Sequence, residues 1–234
     1  MSLSIDTTTP LADVVERETS RSMNLTIDTT TLALHRSQYI AEPSTKTRIV
    51  LHHTVGGTAK STVDFWNEKP ERVGTAFIIE RNGTVFQCFD PRFWASHIGK
   101  GSTNADNKTS IGIELASEGA LFERSGSLYK FNVARRNEVK RENVYDYGKS
   151  YRGYRYFDQY DEPQLAALME LVKQLLVQFP NIPHLTPKDH TGYLNNWQRF
   201  HGIVSHTHLR VDKSDIHPGF PWARLIDYCA LKTI

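Results

Sequence analysis

Cysteine is almost missing from this chain: Cys88 and Cys229 are the only two in 234 residues. Neither belongs to a Cys-x-x-Cys pair, which argues against a thiolate metal cluster. Their separation neither requires nor excludes a disulfide, and the simplest reading is two small buried apolar side chains. Long apolar runs are missing too, and no stretch reaches the roughly 20 residues needed to cross a bilayer. The opening Met1-Ser2-Leu3-Ser4-Ile5-Asp6 has neither a basic start nor an apolar segment, so no secretory signal is expected in this chain. Charge of one sign is scarce, with 28 Lys+Arg against 26 Asp+Glu. No basic block tracks a phosphate backbone, so nucleic acid is not an expected partner. What is present is ordinary for a domain with a real core: 39% hydrophobic residues and 11% aromatics. The length suits one generous domain, or one domain with an appendage, and a monomer is expected.

Residues 1–44 differ from the rest and read as an N-terminal extension. They are rich in Thr and Ser, and Leu3-Ser4-Ile5-Asp6-Thr7-Thr8-Thr9 returns as Leu25-Thr26-Ile27-Asp28-Thr29-Thr30-Thr31. Two copies are too few for a solenoid; they fit two β-type segments or a partly ordered arm. Glu42-Pro43-Ser44 marks the boundary to a main domain over 45–234. An insert at about 118–160, full of Arg and Tyr without clean periodicity, reads as a hairpin or an ordered excursion near the site.

Arg48-Ile49-Val50-Leu51 predicts a strand buried on both faces, and Ser61 to Asn67 a short helix. Ala76 to Glu80 and Thr84 to Cys88 flank Arg81-Asn82-Gly83, a hairpin in which the Asn-Gly pair supplies positive φ angles. Ser110 to Leu115 is another strand. Asp161 is the expected N-cap of a helix, with Pro163 in the first turn and Gln164 at capping-box spacing. Leu165, Leu168, Leu171, Val172, Leu175, Leu176 and Phe179 then follow at helical spacing until Pro180 and Pro183. Ile203-Val204 is a brief strand, and Pro221 to Leu231 a closing amphipathic helix. The expected fold is α/β: a single central mixed β-sheet flanked by helices.

Two apolar strands end alike. Ile49-Val50-Leu51 runs into His52-His53-Thr54, and Ile203-Val204-Ser205 into His206-Thr207-His208. Functional groups collect beyond the carboxyl ends of strands in open sheets, so two histidines from distant segments can meet at one metal there. Asp215 is a third candidate ligand, and three protein ligands leave a position for water, the pattern of a catalytic zinc. His208 competes with His206. In Ser110-Ile111-Gly112-Ile113-Glu114-Leu115, alternation puts Gly112 and Glu114 on the face opposite the apolar residues. A carboxylate in the middle of an apolar strand needs a partner or a task; a salt bridge is one answer, and a general base fits better.

These pieces resemble the zinc N-acetylmuramoyl-L-alanine amidases, the group that includes phage lysozyme-type amidases, muropeptide amidases and peptidoglycan recognition proteins. The resemblance rests on Val50-Leu51-His52-His53-Thr54, Gly74-Thr75-Ala76-Phe77-Ile78-Ile79, Asn82-Gly83-Thr84-Val85, Ser96-His97, Ser110 to Leu115, Ser205-His206, Lys213-Ser214-Asp215 and Pro218-Gly219. It spans Arg48 to Trp222 and leaves residues 1–44 and the insert outside.

The resemblance implies that His52, His206 and Asp215 ligate Zn2+, that Glu114 is the catalytic acid and base, and that Lys213 stabilises the oxyanion. It implies hydrolysis of the amide between N-acetylmuramic acid and L-alanine, with peptidoglycan or a muropeptide as partner and the cell wall as the place of action. Thr75 stands where phage-type members often carry Tyr, so Glu114 carries base duty alone. His97, Trp94 and Thr75 are the candidate substrate contacts, with Trp66 and the tyrosines of 145–160 as further aromatic platforms. Two rival readings share the fold: a non-catalytic muropeptide receptor, and a zinc peptidase acting on a stem-peptide bond.

Overall fold

The structure, a computed structural model, describes residues 25–130 and 137–234. The first copy of the N-terminal repeat lies outside them. Among the described residues the central sheet has six strands in the order β1-β4-β3-β5-β2-β11. These are β1 (Ile27–Asp28), β2 (Arg48–His53), β3 (Phe77–Ile79), β4 (Val85–Gln87), β5 (Ser110–Leu115) and β11 (Gly202–Ser205). β3 and β4 pair antiparallel as a hairpin, and the other neighbours pair parallel, so the sheet is mixed.

Strand alternation divides the side chains of β2, β5 and β11 between two faces. Ile49, Leu51, Ile111, Ile113, Leu115 and Ile203 enter the main core. They meet Leu165, Leu168, Leu171, Val172 and Leu175 of α3 (Glu162–Gln178), which the Leu spacing puts on one helix face. Two shorter helices precede it in the chain, α1 (Ala59–Glu68) and α2 (Asn104–Lys108). Val50 and Val204 point the other way, into a smaller cluster with Ile98, Trp197 and Leu209. All six residues of β2 are buried, as its continuous apolar run requires. Each fully buried Leu, Ile or Val contributes about 1.5–3 kcal/mol.

Two local expectations are corrected. The Asp161 side chain makes no cap hydrogen bond, so no capping box forms. Asp161 Oδ2 instead accepts from Arg81 at 3.1 Å, and the buried Gln164 donates to the Ile79 and Ala116 carbonyls at 2.9 and 3.0 Å. Gln164 thus gives the Ala116 carbonyl a donor and adds a second to the Ile79 carbonyl, which already accepts the Ala116 amide. In the hairpin only Gly83 has a positive φ, at 87°. Asn82 accepts the Thr84 amide through Oδ1 instead. A Cβ on Gly83 would lie 2.7 Å from the Pro163 carbonyl oxygen, so this turn packs directly on the start of α3.

The remaining strands are β6 (Ala120–Arg124), β7 (Ser127–Lys130), β8 (Val144–Tyr151), β9 (Tyr154–Asp158), β10 (Leu185–Thr186) and β12 (Lys232–Thr233). The insert builds its own antiparallel sheet, β7-β6-β9-β8, while β10 and β12 form a short parallel pair. After β11 come α4 (His206–Leu209) and α5 (Trp222–Tyr228). Both cysteines are free and buried. No described helix is long and apolar enough to cross a membrane.

Candidate active site

β2 and β11 are parallel neighbours with Leu51 opposite Ser205. The next step along each chain brings His52 beside His206, the first residue of α4. β5 lies on the other side of β2 and pairs Glu114 with His52. Even-numbered positions of β2 and β5 share a face, so His52 and Glu114 emerge on the side away from the main core. His53, one residue on, turns to the other side and meets the Tyr160 hydroxyl at 3.0 Å.

Three ligand-type atoms converge at these strand ends. His52 Nδ1 is 3.1 Å from His206 Nδ1, His206 Nδ1 is 2.9 Å from Asp215 Oδ2, and His52 Nδ1 is 3.3 Å from the same oxygen. All three residues are buried. Zinc ligands at 2.0–2.1 Å in a tetrahedron stand about 3.3 Å apart, so the triangle has the size of one metal's coordination shell. The donor set fits as well. His206 Nε2 lies 2.8 Å from the Ile98 carbonyl, which only accepts, so a neutral His206 keeps its proton there and leaves Nδ1 bare. Among the described residues, this is the group of three His, Cys, Asp or Glu side chains placed to hold a metal ion.

The electrostatics follow from burial and neighbours. Burial pushes the His52 imidazole down to about 4, His206 adds to the effect, and Asp215 opposes it. His52 is therefore neutral and ligand-ready at ordinary pH. Burial works against ionisation of Asp215, but His206, by charge and then by hydrogen bonding, overcomes it and holds the carboxyl well below the usual range. Glu114 goes the other way. Burial, then the Asp215 charge, raise it well above an ordinary carboxyl, with Lys213 opposing. Its Oε2 is buried with no hydrogen-bond partner among the described atoms. Two carboxyls pushed apart in this way differ in what they can do: the ionised one suits a cation, and the one that resists ionisation suits proton exchange.

Residues 42–219 match the N-acetylmuramoyl-L-alanine amidase family. The chain belongs to that family. Solved structures share the fold. One is the N-acetylmuramyl-L-alanine amidase AmiD from E. coli, in complex with the substrate anhydro-N-acetylmuramic acid-L-Ala-D-gamma-Glu-L-Lys. It is 20% identical with a TM-score of 0.52, over 82% of this chain and 61% of AmiD. A point mutant of PlyL is 14% identical with a TM-score of 0.52, over 88% of this chain and 98% of its own. A mutant endolysin from Bacillus subtilis is 14% identical with a TM-score of 0.51, over 88% and 99%. The chain thus spans under two thirds of the length of AmiD. No curated protein sequence matches it.

In this amidase-family chain a cleft of about 240 Å³ opens beside the triangle, lined by Asp215, Lys213, His53, Ala120, Arg152 and Tyr154 among others. Lys213 is thus at the cleft, and the insert supplies a wall through Ala120, Arg152 and Tyr154. A larger hollow of about 760 Å³, lined by Arg81, Lys130 and Glu142 among others, holds none of the three converging residues.

The other sequence candidates sit elsewhere. His208 has both ring nitrogens engaged: Nδ1 accepts the Ser205 amide at 2.9 Å and Nε2 lies 2.8 Å from the Asp189 carbonyl. His97 stands behind His52, with Nδ1 3.0 Å from His52 Nε2. Thr75 is 1% exposed and donates its hydroxyl to the Phe77 carbonyl. Trp94 is buried and bridges to Ile40 through its backbone. Neither Thr75 nor Trp94 lines the cleft beside Asp215. Sequence reasoning missed Ser110, Asn107 and the Ile98 carbonyl. No local pattern flags them, because they act across the fold.

Proposed function

We propose that this chain is a zinc-dependent amidase that hydrolyses the amide bond between N-acetylmuramic acid and L-alanine in peptidoglycan. The observation that carries the reading is the triangle of His52 Nδ1, His206 Nδ1 and Asp215 Oδ2, with sides of 2.9–3.3 Å, whose Asp215 corner lines a cleft. His52, His206 and Asp215 hold the zinc, which when bound activates water and polarises a carbonyl. The family name and the AmiD complex supply the substrate class: a lactyl amide on a muramic acid carrying a stem peptide.

The rest is done by the chain's own side chains. Glu114 takes a proton from the attacking water, since its raised affinity for protons suits a base that must later act as an acid. The lactyl carbonyl carbon gains the new C–O bond, and its oxygen takes the negative charge. The Lys213 ammonium lies near enough to weigh on Glu114 and lines the cleft, where it stabilises that charge. Glu114 returns its proton to the alanine nitrogen as the C–N bond breaks. Residues 45–234 form the catalytic domain in this reading, and residues 1–44 an extension that adds β1 to the sheet edge. Digestion of defined muropeptides, with and without a chelator, is the test. Release of intact stem peptides that stops on chelation supports the amidase. Trimmed stem peptides indicate a peptidase, and binding without any cleavage indicates a receptor.

A further inference from the structure

A chain of hydrogen bonds runs from the backbone of α2 to the buried edge of the triangle. The Ser110 hydroxyl donates to the Asp106 carbonyl at 2.7 Å. Its single proton is then spent, so towards His97 Nε2, at 2.9 Å, the oxygen accepts. His97 therefore carries its proton on Nε2 and presents a bare Nδ1. That nitrogen is 3.0 Å from His52 Nε2, so the proton between them sits on His52. A neutral imidazole has one N–H, and His52 Nδ1 is left bare, facing His206 and Asp215. The two rings meet edge to face at 84°, which aims an N–H of one at the lone pair of the other.

The second imidazole is fixed from the same segment. His206 Nε2 donates to the carbonyl of Ile98, the residue after His97. The backbone amides of His97 and Ile98 both donate to Asn107 Oδ1, at 2.9 and 3.1 Å. Asn107 is 3% exposed and anchored in turn by its amide nitrogen, which donates to the Thr103 carbonyl at 2.9 Å. Gly112 leaves room for the arrangement, because a Cβ there would lie 3.1 Å from His97 Nδ1.

We propose that His97 is a positioning residue that fixes the tautomer and tilt of His52, and that the His97-Ile98 segment, pinned by Asn107, orients both imidazoles toward one cation. The inference rests on the metal-site reading above and adds the source of its geometry. Outer partners of this kind set ring orientation and ligand basicity in metal sites. His97 touches no substrate in this role; it acts through His52.

The test has two arms. In the first, multiple-bond proton–nitrogen correlation spectra of the metal-free, nitrogen-15-labelled protein at neutral pH read the tautomers directly. His52 and His97 are each expected to carry their one proton on Nε2, and His206 to carry a proton on the Nε2 that faces the Ile98 carbonyl; a His52 protonated on Nδ1 overturns the proposal. In the second, zinc affinity is measured by chelator competition. His97→Ala is expected to bind zinc roughly 10–100-fold more weakly than wild type, and His97→Asn, which keeps an acceptor near the Nδ1 position, to recover much of the loss. Equal affinities for wild type and His97→Ala also overturn it. If His97→Ala does not fold, the wild-type spectra decide. A wild-type protein that binds no zinc yet shows the expected tautomers sinks the metal reading and leaves the relay standing.

Discussion

His52 and Glu114 are register partners on the adjacent parallel strands β2 and β5, a ligand-type imidazole beside a carboxyl that resists ionisation. In the proposed mechanism this pairing puts Glu114 beside the metal-holding triangle without making it one of the three ligands. Glu114→Gln keeps the shape and removes the proton exchange. The expected result is a fall in kcat of roughly 10²–10⁴, with zinc affinity unchanged. Steady-state turnover of a muropeptide checks it, and wild-type turnover with zinc bound would refute the role.

Lys213 lines the cleft two residues before Asp215. Lys213→Ala should lower kcat by about 10²–10³, as removal of an oxyanion donor does. Zinc content should stay at the wild-type level. An unchanged kcat would remove Lys213 from the mechanism.

Gly112 sits under the site at a place where no side chain fits. A Cβ would come within 2.6 Å of Thr75 Cγ2, and Thr75 is buried and stiff at χ1. Gly112→Ala is expected to cost about 1–3 kcal/mol through overpacking. It should also loosen zinc by displacing His97. Thermal melts of the metal-free protein and zinc competition together check both effects; a variant as stable as wild type contradicts the packing argument.

Acid should destabilise the metal-free fold through its histidines. Burial holds His52 and His208 down to about 4 from an ordinary 6.5. Burial lowers His53 too, and it drives His97 and His217 well below the ordinary value. As pH falls below 6.5 the unfolded chain therefore takes up protons that the folded chain refuses, and stability drops down to about pH 4. Above 6.5 the contribution is fully present. Glu114, raised by burial, opposes the trend above its ordinary 4.5, as one carboxyl against five imidazoles. Urea midpoints should fall steadily across this window, and a flat profile would contradict the burial argument.

The site was legible in the sequence as far as periodicity reaches. Alternation along Ile111 to Leu115 told that Glu114 leaves the core face, the continuous apolar run of Ile49 to Leu51 told of a strand buried on both faces, and the repeated strand-then-histidine ending pointed to a meeting place. The leucine spacing from Leu165 to Leu176 told where α3 packs. Side-chain-to-backbone bonds between distant segments carry no such period. Gln164 therefore read as a cap although it serves the carbonyls of Ile79 and Ala116. His97 read as a substrate contact although it backs His52. The insert hid its strands for a related reason. Its register shifts between Asp146 and Tyr151, so alternation is interrupted within β8.

The proposed chemistry requires His52, His206 and Asp215 to close around one cation. X-ray absorption at the zinc edge of the loaded protein reads that shell directly. Two imidazole nitrogens, one carboxylate oxygen and one further light atom at about 2.0–2.2 Å are expected, with one imidazole lost in His206→Ala. Sulfur neighbours, or a spectrum that His206→Ala leaves unchanged, would contradict it.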